Sequence, residues 1–403
     1  MPLDLEDVRA RFPGLSGDVV LLDNAGGAQV ATPVIDRMTS YLRETNVQLG
    51  ADYATSVRSS ARVDEGRAAM ARLVRADADE IVLGASTTLL LKLLAQALAP
   101  SLEPGDEVIV TDGDHESNIG PWLGLEQLGV VPRWWRADPV SGLLRLEDLD
   151  ALLCARTRLV CVHHVSNLIG SVVPIEEVTR RAHAADAQVI VDGVAFAPHR
   201  RVDVRALDVD WYAFSTYKVF GPHGAVLFGR RDRLAAATSM NHFFVGEDAG
   251  PSKLEPGNPS YEVAYAGAGV VDYLEDLGRR VAPHGSDALD DAFAAIEAHE
   301  TALAATFLAF LESRTDVRVL GERRATPTRV PTISFAVDGV DASTVVRRVD
   351  PHGLGIRHGH FYAKRLVDAV GLADVGGVVR VSMVHYNTVE EVERLIDVLD
   401  RVL

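Results

Sequence analysis

The stretch DWYAFSTYKVFGPHG, residues 210–224, decides the fold class. Its first six residues are largely apolar and aromatic and predict a buried strand, which is followed by Lys218 and a turn rich in Gly and Pro. A side chain just beyond the carboxyl end of such a strand lies where α/β proteins place their ligands. Only four lysines occur in the chain, so Lys218 is a candidate for chemistry, the alternative being a solvated surface lysine.

Similar short apolar runs on both sides of this stretch alternate with helix-like segments. The six further predicted strands are residues 80–84, 107–112, 131–136, 158–166, 188–193 and 224–229. This alternation predicts an α/β fold with a mostly parallel, seven-stranded sheet in a large domain, residues 16–265. Residues 1–15 and 266–403 are expected to form a smaller α/β domain with a long helix, two β-like runs and a closing amphipathic helix.

Composition narrows the classes of partner. The net charge of −17 and the pI near 5.2 disfavour nucleic acid and anionic membranes, so a small molecule is the expected ligand. The acidic, amphipathic N-terminus is unlike a signal peptide, and we expect a cytoplasmic protein. Cys154 and Cys161 lack His or Cys at metal-ligand spacing, so no metal site and no disulfide framework is expected.

Asp192 ends the apolar run QVIVD, one βα unit before Lys218, so both side chains are expected at the same edge of the sheet. A carboxylate facing a pyridinium nitrogen keeps that nitrogen protonated, while a lysine can hold the cofactor as a Schiff base and relay protons. The pair therefore indicates a pyridoxal 5′-phosphate (PLP) site. A helix N-cap is the alternative for Asp192.

Hydroxyl groups near the predicted strand ends are candidates for binding the cofactor's phosphate. Ser86 and Thr87 open a helix-like segment, and Ser215 and Tyr217 stand just before the candidate lysine. Ordinary N-capping explains the first two equally well. His115 follows another strand and is expected against the pyridine ring, although a loop histidine fits the same position.

The motifs resemble, in order and spacing, those of fold-type-I PLP enzymes of the class V aminotransferase and cysteine-desulfurase family, and in particular its cysteine-desulfurase-like members. They are LLDNAGGAQV (21–30), GASTT (84–88), DHESN (114–118), VSNLIG (165–170), IVDG (190–193), FSTYKVFGPHG (214–224), EPGNP (255–259), IRHGH (356–360) and VRVSMVHYNT (379–388). The resemblance covers nearly the whole chain.

The resemblance implies a role for each matching residue. Lys218 would hold the cofactor, Asp192 would partner the ring nitrogen, His115 would stack on the ring and Asn167 would hydrogen-bond its phenolic oxygen. The phosphate would lie among Ser86, Thr87, Ser215 and Tyr217, with Asn258 reaching the phosphate of a neighbouring subunit, which implies a homodimer with active sites at the subunit interface. Arg380, assisted by Arg357, would bind the substrate carboxylate.

Two positions depart from the family pattern. Where related desulfurases carry a mobile cysteine, this chain has Tyr362 flanked by Phe361. Cys154 and Cys161 are expected outside the crevice, which argues against a persulfide mechanism. Ala195 replaces a Gln or His that relatives place near the phenolic oxygen, and Phe196 and Phe361 are expected to reshape the substrate pocket.

The sequence thus predicts a PLP-dependent lyase or transferase acting at the α- or β-carbon of an amino acid. Elimination of a sulfur leaving group, as in a C–S lyase, is favoured over the alternatives of an epimerase, with Tyr362 or His360 as second acid, or an aminotransferase. A non-catalytic protein that binds PLP for regulation or assembly is a rival from another class.

Overall fold

The computed structural model describes residues 2–403, and its regular elements alternate along the chain as an α/β protein requires. The strands are β1 Val20–Leu21, β2 Ile81–Gly84, β3 Glu107–Thr111, β4 Val131–Trp135, β5 Thr157–His163, β6 Gln188–Asp192, β7 Trp211–Ser215, β8 Ala225–Gly229, β9 Val317–Val319, β10 Thr332–Val337, β11 Leu354–Gly355, β12 Arg357–Gly359 and β13 Val378–Ser382. The α-helices are α1 Leu5–Ala10, α2 Thr32–Glu44, α3 Ala54–Val74, α4 Thr87–Leu98, α5 Gly120–Leu123, α6 Leu146–Leu152, α7 Ile175–Ala184, α8 Arg231–Ala236, α9 Tyr261–Val281, α10 Ala288–Ser313, α11 Ala342–Val349, α12 Lys364–Ala369 and α13 Val389–Val402.

The predicted seven-stranded sheet is confirmed. Its order is β2-β8-β7-β6-β5-β3-β4, and β8 alone runs antiparallel to its neighbours. The central strands are buried along their length, as expected for a sheet covered on both faces. Because β5, β6 and β7 are parallel, their carboxyl ends meet at one edge, and the candidate site lies there.

A smaller antiparallel sheet has the order β12-β13-β10-β9, and β1 pairs in parallel with β11. The closing helix α13 begins with a capping box in which Thr388 and Glu391 satisfy each other's backbone N–H groups. Its apolar face packs, with α11, on this sheet. The large sheet with this smaller α/β unit confirms the expected fold-type-I architecture.

Some element boundaries differ from those that the sequence predicts. Strand β5 ends at His163 rather than near residue 166, because the chain beyond it folds back and Val165 bridges Val172. The long helix predicted for residues 266–280 begins earlier, at Tyr261, directly after Ser260. These differences leave the strand order unchanged.

Two large core clusters lie on either side of α10. Its first half packs with the large sheet, α9 and the side chains of Val8 and Phe12, and its second half packs with the small sheet. The division expected at residue 266 falls inside α9, and the clusters meet within α10 instead. In residues 2–403, α10 is also the one helix whose length and composition alone would suit a membrane span, and its side chains contribute to both cores.

Candidate active site

One cavity at the carboxyl edge of the large sheet collects most of the predicted cofactor residues. Ser86, Thr87, His115, Asn167, Asp192, Ser215, Tyr217 and Lys218 all line it, together with Thr88, Asp114, Ser117, His163, Val165, Val194 and Ala195. Asp192 and Ser215 are the last residues of β6 and β7, so the sheet itself fixes where their side chains begin.

Lys218 lies in a short 3-10 turn directly after β7 and is 7% exposed. Burial lowers the pKa of its amine, and the positive charge of Arg380 lowers it further, whereas Asp192 and Asp23 oppose the shift. The pKa is lowered to about 8, so the neutral amine forms more readily here than on an exposed lysine. Such an amine can attack a carbonyl carbon and can accept a proton.

Asp192 is buried at the end of β6, where one carboxylate oxygen accepts a hydrogen bond of 3.0 Å from the N–H of Val194. Burial raises the pKa of its carboxyl group, and the negative charge of Asp114 raises it further. A cationic partner would therefore be strongly favoured opposite Asp192. A protonated ring nitrogen has the required charge.

Hydroxyl groups converge at the amino end of α4, which packs on β7 and β8. The Thr87 and Ser215 hydroxyl oxygens are 2.8 Å apart, and Tyr217 lines the same cavity. Ser86 caps the helix by accepting the N–H of Leu89 at 3.3 Å. Helix N–H groups and clustered hydroxyls together suit a phosphate.

His115 presents a neutral ring to the cavity. Its Nδ1 accepts the backbone N–H of Ser117 at 3.1 Å and lies 2.7 Å from the hydroxyl oxygen of the same residue. Burial and the nearby charge of Lys218 lower the pKa of His115 to about 4. A neutral imidazole can lie against an aromatic cofactor without placing a charge on its face.

Asn167 connects the cavity to the segment that carries Phe361 and Tyr362. Its Nδ2 donates to the Phe361 carbonyl at 2.8 Å, while its Oδ1 is buried without a partner. The Tyr362 carbonyl accepts the N–H of Glu116 at 2.9 Å. Two hydrogen bonds, from Asn167 and from Glu116, therefore hold this segment against the cavity wall.

The predicted carboxylate-binding arginines share a partner that sequence reasoning missed. Arg380 is buried and donates to the Asn167 carbonyl at 3.0 Å and to Asp23 at 2.8 Å, and its Nε has no partner. Arg357 is exposed and contacts the other oxygen of Asp23 at 3.4 Å. Asp23 therefore sets where both guanidinium groups lie, and the motif LLDNAGG was its only signal in the sequence.

The Phe361 ring lies on the Arg380 guanidinium, with 3.8 Å between the ring centroid and Cζ. Tyr362 is 69% exposed, and its ring centroid is 5.2 Å from that of His115. Tyr362 and His115 also line an adjoining, wider cavity. Phe361 therefore contacts the predicted carboxylate-binding arginine, and Tyr362 lies beside the predicted stacking histidine.

The family described as Aminotransferase class-V matches residues 20–395. The chain is a member of the class-V aminotransferase family. The aminotransferase-like protein FGM3 of Gibberella zeae is 42% identical, over 99% of this chain and 98% of its own length. The cysteine desulfurase-like protein ustD of Aspergillus flavus is 35% identical, over 100% of this chain and 91% of its own length.

Solved structures agree with this assignment. The cysteine desulfurase CsdA of Escherichia coli superposes with a TM-score of 0.85 at 28% identity, over 100% of this chain and 99% of its own. This class-V protein is therefore a PLP-dependent enzyme. Its residues fit the cofactor, because the unpartnered Asn167 Oδ1 and the clustered hydroxyls face the cavity where PLP needs polar partners.

Not every predicted residue of this class-V enzyme reaches the cavity. Asn258 lies in an exposed loop with φ of 68° and does not line it, so its role across a subunit interface stays a prediction. Phe196 was expected near the substrate but stacks on His164 at 3.6 Å and faces a different cavity. The neighbouring Ala195, in contrast, lines the cofactor cavity.

Asp114 and His163 line the cavity as well, although sequence reasoning gave neither a role. Asp114 precedes His115 in the motif DHESN, and His163 ends β5. The sequence signal for His163 was the presence of two consecutive histidines, His163 and His164, at the end of a predicted strand. Only the folded chain shows which of the two faces the cofactor.

Proposed function

We propose that this enzyme cleaves the C–S bond of an S-substituted cysteine by β-elimination, without a persulfide cysteine. The overall reaction converts R–S–CH₂–CH(NH₃⁺)–COO⁻ and water into R–SH, pyruvate and ammonium. The bonds from the β-carbon to sulfur and from the α-carbon to hydrogen break, and the α-proton or its equivalent ends on the thiol.

The positions of the two cysteines carry this proposal. Cys161 lies in the middle of β5 and is buried, which raises the pKa of its thiol. Cys154 donates to Glu107 at 3.4 Å, at the amino end of β3 and away from the cavity. A thiolate attack on substrate sulfur has no nucleophile in this site, so the sulfur leaves with the electrons of its bond to carbon. Relatives named cysteine desulfurase support a sulfur amino acid as substrate.

The side chains divide the work of this reaction. Arg380, assisted by Arg357, binds the α-carboxylate through its planar fork. Lys218 in its neutral form takes the α-proton. When bound, PLP accepts the electrons that are released as bonds to the α-carbon break. Tyr362, beside His115, borders the space for the substituent on sulfur.

Product analysis tests the reaction. We expect thiol, pyruvate and ammonia in equal amounts from an S-substituted L-cysteine, and a Cys154→Ala/Cys161→Ala enzyme should keep its turnover within about twofold. Alanine as the product, or loss of turnover in the folded double variant, would contradict the proposal. Exchange of the α-hydrogen with inversion would identify an epimerase, and conversion of the cofactor into pyridoxamine phosphate would identify an aminotransferase.

We also propose that the enzyme is a homodimer in which Asn258 reaches the phosphate site of the partner. The residue lies on an exposed loop, so its side chain is free for such a contact. Sedimentation should give twice the chain mass of 43.5 kDa. Asn258→Ala should weaken PLP binding in the intact dimer, and unchanged binding would refute this role.

A further inference from the structure

His163 is a buried histidine to which the proposed reaction gives no task. It ends β5, pairs in register with Asp192 on β6, and is 5% exposed. Its Nδ1 is buried without a hydrogen-bond partner, 3.7 Å from a carboxylate oxygen of Asp114. Gly113 leaves room for the ring, because a Cβ at that position would lie only 3.2 Å from the His163 Cε1.

Asp114 brings a second buried carboxylate to the same wall. It is 1% exposed, and its oxygens accept the backbone N–H of His115 at 2.8 Å and the Asn118 amide at 2.7 Å. Its negative charge acts on Asp192 and opposes ionisation of that carboxyl group. The protonated ring nitrogen would compensate only one of two buried, ionised carboxylates, so a second cation is needed beside them.

The other titratable groups that share this space are poorly suited to be that cation. Lys218 loses its free ammonium group when it is joined to the cofactor. His115 uses Nδ1 to accept an N–H, and its pKa is low. His164 has its Nδ1 2.9 Å from the Tyr212 hydroxyl oxygen, and its ring is stacked on Phe196 outside the cavity.

We propose that His163 is a positioning residue that holds a proton as an imidazolium between Asp114 and Asp192, so that Asp192 stays ionised opposite the cofactor's ring nitrogen. The proton comes from solvent and stays on the imidazole, so no bond of the substrate is involved. The unpartnered Nδ1 faces Asp114, and the register pairing places the same side chain beside Asp192. The inference requires PLP as cofactor and is independent of which substrate bond is cleaved.

The test follows the ring nitrogen itself in the holoenzyme. Wild type, His163→Gln and His164→Gln are loaded with PLP that carries ¹⁵N in the ring, and the nitrogen resonance is recorded against pH. We expect His163→Gln to lower the midpoint of ring-nitrogen deprotonation by about one pH unit or more, and to weaken PLP binding about tenfold. His164→Gln, which changes a buried histidine outside the cavity, should match wild type.

A second substitution distinguishes charge from packing. If His163 acts by compensating the negative charge of Asp114, adding Asp114→Asn to His163→Gln should restore the midpoint of ring-nitrogen deprotonation to within about half a pH unit of wild type. A midpoint in His163→Gln equal to that of wild type, or no recovery in a folded double variant, overturns the proposal. If His163→Gln does not fold, the midpoint of ring-nitrogen deprotonation in the single variant Asp114→Asn tests the proposal. Its midpoint should stay or rise, and a fall would overturn the proposal.

Discussion

Lys218 is surrounded by opposing charges at the end of β7. Burial and the charge of Arg380 lower the pKa of its amine, and Asp192 and Asp23 raise it. We expect Lys218→Ala to lose borohydride-stable attachment of PLP and to lower turnover by about 10²–10⁴-fold, because no other lysine lines the cavity. Mass spectrometry of the reduced peptides and a steady-state assay check this.

Lys364→Ala is the matched control for that experiment. Lys364 is exposed and pairs within α12 with Asp368, four residues on. Its removal should leave attachment and turnover unchanged. Reduced PLP on any lysine other than Lys218 in the wild-type enzyme would disprove the assignment of the cofactor lysine.

Arg380 and Arg357 both contact Asp23, but Arg380 is buried and Arg357 is exposed. Arg380→Gln removes a buried guanidinium, and we expect KM to rise about 30-fold or more. Arg357→Gln removes an exposed contact, for which about fivefold or less is expected. Saturation kinetics at fixed PLP, with PLP binding measured separately, compare the two. Equal effects on KM would show that the clamp is not at Arg380.

Asp192 and Ser215 end strands and Lys218 directly follows one, so local pattern alone located these three residues. The role of Asp23 was not predicted, because its contact partner Arg380 lies 357 positions away in the sequence. Local spacing rules do not detect contacts between residues so far apart. Phe196 was placed wrongly because a turn after β6 rotates it toward His164, away from its neighbour Ala195.

The ion pair between Arg365 and Glu116 helps to hold the segment from β12 to α12 against the cavity, together with backbone contacts. Arg365 makes two hydrogen bonds of 3.0 Å to Glu116, whose own N–H binds the Tyr362 carbonyl. We expect Arg365→Met to speed amide exchange in residues 357–363 by up to about fivefold, as suits a partly exposed ion pair. Hydrogen exchange followed by mass spectrometry measures it.

Lys364→Met is the matched control, since it changes a neighbouring cation of α12 whose ammonium group pairs with Asp368. Its exchange pattern in residues 357–363 should equal that of wild type. Similar acceleration in both variants would mean that loss of charge on α12, and not the contact with Glu116, loosens the segment.

Elements were more predictable than their contacts. Seven short apolar runs separated by helical periodicity were enough to predict the large sheet, because buried parallel strands are apolar along their whole length. The start of α9 was missed because Tyr261 and Glu262 extend the helix back to Ser260, beyond the apolar run from residue 266. Such ends depend on capping and packing rather than on periodicity.

At the scale of the whole molecule, α10 joins the two cores, and buried histidines lie close to this connection. His385 hydrogen-bonds the Tyr273 hydroxyl at 2.5 Å and packs among Phe12, Phe220 and Tyr386. Burial lowers its pKa to about 3. A protonated ring at this position would be an unpaired buried charge, which links the folding of this region to pH.

The sign of that linkage follows from the lowered pKa values of His385 and His164, each about 3. The folded chain keeps both rings neutral, whereas the unfolded chain binds protons below its ordinary histidine pKa near 6.5. Their stabilisation is therefore fully present above about pH 6.5 and is lost as pH falls toward 3, by about 1.4 kcal/mol per pH unit for each histidine.

Denaturant unfolding between pH 5 and 7 should show the free energy of unfolding fall on acidification. His385→Gln should remove one proton from that slope. An unchanged slope in His385→Gln would mean that this ring is already protonated or solvated in the folded enzyme.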